Sequence, residues 1–214
     1  MVPMDLPPVD DASRLFCVGR NFADHAREMG AERPRHPVIF LKPGSARVPP
    51  GPVRLPCGLG RVDFEGELTL LLSGREAQPF AGVGLGVDLT LREAQSRLKQ
   101  DRLPWTVAKA FDGSALLGPF MPWPADLSAD LSNLCFETRV NGESRQQGYG
   151  HDMLFTPAEL ISALSRFWCL RAGDVLFTGT PAGVGPLHPG DVIELAIRQP
   201  EMGGAAASWQ MEKA

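Results

Sequence analysis

No two of the four cysteines, Cys17, Cys57, Cys135 and Cys169, stand at CxxC spacing, which argues against a zinc site built from them. Four thiols in 214 residues are too sparse for a disulfide-stapled secreted scaffold, so buried, reduced thiols in a cytoplasmic protein are expected. No apolar run approaches the ~18 residues of a membrane-crossing helix, and no membrane partner is expected. The first residues, MVPMDLPPVDD, carry no basic segment followed by an apolar one, so no secretory signal is read there. Positive charge is not in excess either. A formal net charge of −4 leaves no general attraction for phosphate backbones, and nucleic acid is not an expected partner. Repeats and low-complexity tracts are missing, and only the Gly-Ala stretch near 203–207 looks loosely ordered.

Turn-forming residues are what the chain has in surplus. The 23 glycines and 20 prolines make up about a fifth of it, against about an eighth on average. With no collagen period, that surplus means many turns and disfavours a helical bundle. Hydrophobic residues at 43% and charged residues at 21% argue for a folded chain. A chain of this length buries about 70% of its unfolded surface and needs no staple. Two parts are expected: an N-terminal segment, 1–52, ending in the rigid connector Val48-Pro49-Pro50-Gly51-Pro52, and a larger domain, 53–214.

Short apolar runs bounded by glycine and proline predict strands at Leu15–Val18, Val38–Leu41, Val107–Phe111, Phe136–Val140, Val175–Phe177 and Val192–Ile197. The apolar half of Asp63–Leu72 predicts a buried strand. The run Gly82-Val83-Gly84-Leu85-Gly86 has its third glycine one residue early for a dinucleotide loop and is read as turn chemistry. A helix is predicted from Asp88 to about Lys99. A second should start at Thr156-Pro157-Ala158-Glu159, which has a Thr N-cap, Pro at the first position and Glu closing a capping box, and run to about Cys169. Asn141-Gly142 is a hairpin-turn signal. Strands outnumber helices, so the expected class is β-rich α+β.

Three carboxylates stand out. Glu65 and Glu67, read as residues i and i+2 of a strand, share one face. Two like charges there repel, and a divalent cation would reverse that sign; oxygen-only ligands suit Mg²⁺, Mn²⁺ or Ca²⁺. The alternative is a solvated strand edge. Asp88, Arg92 and Gln95 share a stripe of the predicted helix, able to hold an oxygen-rich anion beside a metal or simply to form an internal ion pair. His25 and Glu28, at i and i+3, are either a surface pair or a base with its orienting carboxylate. Lys109 lies among apolar neighbours, where an ammonium is costly unless paired, so it marks either an open edge or a site. The Gly-rich Thr178–Gly185 lacks the lysine of a phosphate loop, but its amides and hydroxyls suit a carboxylate.

Seven segments, CVGRNFADHAREMG, IFLKPGSA, DFEGELTLLL, GVDLTLREAQ, LPWTVAKAFDGS, VNGESRQQG and GDVLFTGTPAGVG, together resemble the fumarylacetoacetate hydrolase family in order and content. The nearest branch is that of the bacterial fumarylpyruvate and acylpyruvate hydrolases. The resemblance implies a mixed β-sandwich roll with a few short helices, assembled as a homodimer. It implies Mg²⁺ or Mn²⁺ (with Ca²⁺ as a crystallisation substitute) held by Glu65, Glu67 and Asp88. It places the catalytic pair His25 and Glu28 on a mobile lid, about residues 20–35, Lys109 in the catalytic set, and Arg20, Arg92, Gln95 and Thr180 against substrate. Phe22 stands where Tyr is common, and Glu93 where Asp is common.

The activity so implied is hydrolysis of a C–C bond in an acylpyruvate of the fumarylpyruvate kind, giving pyruvate and a carboxylic acid. His25, oriented by Glu28, would take a proton from water; Lys109 or Gln95 would stabilise the oxyanion. The alternative is a decarboxylase or isomerase, acting on oxaloacetate or a 2-hydroxy-diene-dioate through the same enolate. In either case the partner is a small keto acid.

Overall fold

The computed structural model describes residues 6–28, 30, 33–123, 131–198 and 205–213. A seven-stranded sheet runs in the order β2-β1-β12-β6-β7-β9-β3. Its members are β1 (Arg14–Gly19), β2 (Val38–Pro43), β3 (Arg47–Val48), β6 (Gly66–Ser73), β7 (Phe80–Asp88), β9 (Ala115–Pro122) and β12 (Ala172–Phe177). A five-stranded sheet, β11-β10-β14-β15-β4, comprises β4 (Gly51–Arg54), β10 (Cys135–Val140), β11 (Glu143–Tyr149), β14 (Val192–Ile197) and β15 (Ala206–Glu212). A small third sheet joins β13 (Gly185–Pro186), β5 (Val62–Phe64) and β8 (Thr90–Leu91). Among the described residues, four short α-helices decorate these layers: α1 (Ala23–Glu28), α2 (Arg92–Gln100), α3 (Thr106–Lys109) and α4 (Pro157–Ser165). The β-rich α+β class is what the architecture shows.

The central strands β1, β12, β6 and β7 of the large sheet are buried on both faces, which is why they read as continuous apolar runs rather than alternating ones. One core includes Leu68, Leu70, Val83, Leu85 and Trp209, the last from the five-stranded sheet. The other face packs Leu15, Cys17, Leu71, Val175 and Phe177 together. β6 is buried along its length but for its last residue, half-buried Ser73, and β7 throughout.

Several expectations are corrected. The Gly82–Gly86 run is the middle of β7, not a turn. Its glycines are needed for close approach: a Cβ on Gly86 would lie 2.6 Å from the Phe177 ring, and one on Gly84 2.9 Å from the Phe120 ring. The connector 48–52 contributes Val48 to β3 and Gly51-Pro52 to β4. Val107–Phe111 is not a strand. Its first three residues belong to the one-turn α3, which leaves Val107 67% exposed and Lys109 only 2% exposed. The helix expected from Asp88 begins instead at Arg92, and Asp88 ends β7. Of the Gly-Ala stretch, 203 and 204 lie outside the described residues, whereas Ala206 and Ala207 belong to β15. The thiols are not uniformly buried: Cys57 and Cys169 lie in exposed connections.

The local signals held where local physics decides. α4 has the complete Thr156–Glu159 capping box with Pro157 in its first turn, although it stops at Ser165 rather than Cys169. Asn141 and Gly142, at φ 52° and 79°, turn β10 into β11. No described helix is long and apolar enough to cross a membrane.

Candidate active site

The three acids are gathered by strand pairing. β6 and β7 are antiparallel, with Gly66 opposite Val87 and Glu67 opposite Gly86. Extending that register by one residue sets Glu65 against Asp88, and the Asp88 amide donates to the Glu65 carbonyl at 2.8 Å. Glu65 does not share a regular strand with Glu67, since it occupies the break between β5 and β6. β6 starts at a residue that must be glycine: a Cβ on Gly66 would fall 2.1 Å from Thr138 Oγ1. One carboxylate oxygen each from Glu65, Glu67 and Asp88 lies within 4.8 Å of the others, and all three side chains are buried.

Lys109 and Arg92 neutralise much of this charge. Lys109 Nζ donates to Glu65 Oε2 at 2.7 Å, Asp88 Oδ2 at 2.6 Å and Thr90 Oγ1 at 2.7 Å. Burial works against its charge, but Asp88 and Glu65 outweigh that and push its pKa well above the usual lysine range, so it stays an ammonium. Arg92 bridges Asp63 at 2.8 Å, Glu65 at 2.7 Å and Gln95 Oε1 at 2.8 Å. The expected Asp88–Arg92–Gln95 helical stripe is therefore replaced. Asp88 reaches the site from a strand, and only Arg92 and Gln95 share a helix.

The acids titrate apart. Burial opposes the charge on Glu65, but Lys109 and Arg92 hold its carboxyl well below the usual range. Glu67 is pushed well above it, by burial first and then by Asp88 and Glu65. Its Oε2 accepts from the Gly179 amide at 2.7 Å. Three buried oxygen donors, one of them raised by like charge, fit a hard divalent cation, which would convert that repulsion into attraction.

Catalytic candidates on α1 close over this cluster. His25 is 6% exposed, and its Nδ1 lies 3.3 Å from Glu28 Oε2. With a carboxylate as acceptor, Nδ1 carries the proton and Nε2 keeps its lone pair. Burial lowers the His25 pKa, and Glu65 and Glu28 only partly offset it, so the ring is a neutral base near pH 7. Glu28 also accepts from the Gly183 amide, at 3.2 and 3.3 Å. The Gly-rich loop thus holds two carboxylates, both the protein's own: Glu67 at Gly179 and Glu28 at Gly183.

A narrow cleft is lined by Arg20, His25, Glu65, Arg92, Gln95, Lys109 and Thr180, among others. Seven of the ten site candidates from the sequence line this cleft; Glu28, Glu67 and Asp88 are not in its lining but contact or adjoin residues that are. Thr180 also braces the loop, since its hydroxyl donates to the Gly66 carbonyl at 2.8 Å and accepts from Gln146 at 2.7 Å. The cleft offers about 20 Å³ to a water-sized molecule, room for about one water.

Other functional residues carried weaker sequence signals. Lys42 Nζ sits 2.8 Å from Asp88 Oδ1 and also donates to the carbonyls of Leu89, Lys109 and Ser114. Its signal is the one that marks Lys109, a lysine within an apolar run. Asn21, fully buried, ties α1's root to the loop: its Nδ2 donates to the Thr178 carbonyl at 2.8 Å and its Oδ1 accepts from the Phe155 amide at 2.8 Å. Nothing in its local pattern distinguishes it from a turn asparagine.

Residues 14–207 match the family model for the fumarylacetoacetate hydrolase C-terminal domain. The chain belongs to the fumarylacetoacetate hydrolase family. It is 43% identical over 194 residues to the oxaloacetate tautomerase YcgM of Escherichia coli, covering 86% of this chain and 88% of that protein. A mitochondrial oxaloacetate tautomerase of Bos taurus is 40% identical, with 86% of each chain covered. Among solved structures, a fumarylpyruvate hydrolase of Pseudomonas aeruginosa in complex with Mn²⁺ and pyruvate superposes with a TM-score of 0.87 at 33% identity, over 100% of this chain and 94% of that one. Members of this family are enzymes, and both tautomerases and hydrolases stand among these relatives.

Proposed function

We propose that this protein uses His25 as a base on a 2-keto acid, interconverting the keto and enol forms of an oxaloacetate-type substrate. The observation that carries this reading is the position of a neutral, Glu28-oriented imidazole in the cleft that also holds Glu65 and Lys109. His25 Nε2 accepts a proton from C3 of the keto form, and the imidazolium, held by Glu28, returns it to the carbonyl oxygen. The Lys109 ammonium stabilises negative charge that develops on that oxygen. Mg²⁺ or Mn²⁺ would be held by Glu65, Glu67 and Asp88 and would supply Lewis-acid polarisation of the keto acid. The 43% identity to an oxaloacetate tautomerase supports the substrate.

Hydrolysis of an acylpyruvate is the second reading. It is favoured by the intact dyad, which can equally deprotonate a water, and by the superposition on a fumarylpyruvate hydrolase. In that reaction hydroxide adds to the distal carbonyl, the C–C bond breaks, and the electron pair leaves on the pyruvate carbon next to the keto group, where it takes up a proton. The two readings share every residue and differ in whether a water is consumed.

Entry of either substrate requires α1 to lift, because the closed cleft has room for about one water. We propose 20–35, of which 29, 31 and 32 lie outside the described residues, as that lid, hinged near Asn21, and a homodimer as the assembly. A panel of oxaloacetate, fumarylpyruvate and acetylpyruvate with Mg²⁺ separates the chemistries. Enol–keto relaxation of oxaloacetate should be accelerated with the highest kcat/KM. Faster acylpyruvate cleavage would favour the second reading, and no turnover of any would overturn both.

A further inference from the structure

Among the described residues, Glu65 and Glu28 are paired, but two of the cleft's cations are not. Glu65 is paired by Lys109 and Arg92, and Glu28 by His25 and the Gly183 amide. Lys99, in the last turn of α2, lines the same cleft as Arg20. Among the described residues neither makes an ion pair within 4 Å. Lys99 instead lies 5.1 Å over the Trp105 ring, a contact that steadies an ammonium without neutralising it. Arg20 holds a left-handed backbone at φ 63°, which costs a non-glycine residue energy.

The two cations destabilise one another. Lys99 is brought down to about 8, by burial first and then by Arg20 and Arg92. A surface lysine beside solvent would feel little of this. Glu65, in the same cleft, acts to raise Lys99 but is itself held by Lys109 and Arg92; like charges that pair with no acid among the described residues are stabilised by an anion from outside.

Resting on the keto-acid reading, we infer that Lys99 and Arg20 receive a second carboxylate, so that the preferred substrate is a dianionic 2-keto acid and Lys99 is a specificity-determining residue. The first carboxylate and keto oxygen of a 2-keto acid would be received by the divalent cation that Glu65, Glu67 and Asp88 would hold and by the Lys109 ammonium. Only a substrate with another negative group at its far end engages the unmatched pair. Oxaloacetate and fumarylpyruvate have one; pyruvate and acetylpyruvate do not.

The experiment uses the full chain loaded with Mg²⁺, as wild type, Lys99→Met, Lys99→Arg and Arg20→Met. Calorimetric titration with oxaloacetate and with pyruvate reads affinity directly, and kcat/KM on fumarylpyruvate and acetylpyruvate reads turnover. The dianion-to-monoanion preference should fall about tenfold or more in Lys99→Met and Arg20→Met, on the scale of one charge-assisted contact, and be largely kept in Lys99→Arg. Equal losses for both charge classes, or a wild type without preference, would overturn the inference. If no keto acid is turned over but the calorimetric preference is present and lost in Lys99→Met, the catalytic reading fails while this one stands.

Discussion

The ammonium of Lys42 lies 2.8 Å from Asp88 Oδ1, with both side chains sealed from solvent. Lys42 also binds three backbone carbonyls, one of them that of Lys109. It therefore joins β2, the end of β7 and α3 at the floor of the site. Lys42→Met keeps the side chain's length but removes the charge. It leaves Asp88 with an uncompensated oxygen and takes a donor from the carbonyls of Leu89, Lys109 and Ser114, of which Ser114 keeps the Leu89 amide at 2.9 Å. The expected cost is about 3–5 kcal/mol, the usual penalty for breaking a buried pair, read by urea unfolding. A loss under about 1 kcal/mol would mean that water replaces the ammonium at little cost.

Removing divalent metal should abolish turnover. EDTA treatment followed by Mg²⁺ or Mn²⁺ should restore it, and Asp88→Asn should abolish restoration while leaving the far-ultraviolet spectrum intact. Full activity of a metal-stripped sample would show that Lys109 and Arg92 suffice to handle the charge.

His25→Ala should lower kcat by about 10²–10⁴-fold, the usual worth of a positioned base. Because burial lowers its pKa from 6.5, the acid limb of kcat/KM should lie below pH 6.5. Glu28 acts to raise that pKa, so Glu28→Gln should move the limb further toward acid while reducing kcat. A limb above 6.5, or one that Glu28→Gln shifts upward, would contradict the buried dyad. The same depression has a consequence for stability. The folded protein binds this proton less readily than the unfolded chain, so the contribution of His25 to stability is present above about pH 6.5 and is lost as the pH falls below it.

Gly183→Ala should damage both fold and function. Gly183 has φ +99°, and a Cβ there would meet the Arg145 carbonyl oxygen at 2.0 Å. Relief of that clash moves the amide that holds Glu28. Thermal unfolding should report a loss of about 1–3 kcal/mol, the range for backbone strain, and kcat should fall by more than the folded fraction explains. Unchanged kinetics would show that the Glu28–Gly183 contact does not position the dyad.

What the sequence determined by itself is what short-range chemistry decides. The capping box of α4, the Asn141-Gly142 turn and most apolar strands need only a few neighbouring residues to specify them. Seven ordered motifs were enough to bring Glu65, Glu67, Asp88, His25, Glu28 and Lys109 together on paper. The tertiary structure decided the rest because long-range packing overrides local preference. Gly82, Gly84 and Gly86 have turn chemistry, yet they lie in a buried strand, and at Gly84 and Gly86 the Phe120 and Phe177 rings occupy the space a Cβ would need. Lys109 sits in a run that reads as a strand, yet it forms a helical turn that delivers its ammonium to Asp88 and Glu65. Asp88 has the look of a helix start, but pairing with β6 keeps it extended and sets it against Glu65. Charge balance in the site likewise belongs to the fold: which acid Lys42, Arg92 or Lys109 meets depends on strand register across tens of residues, and no local pattern encodes that.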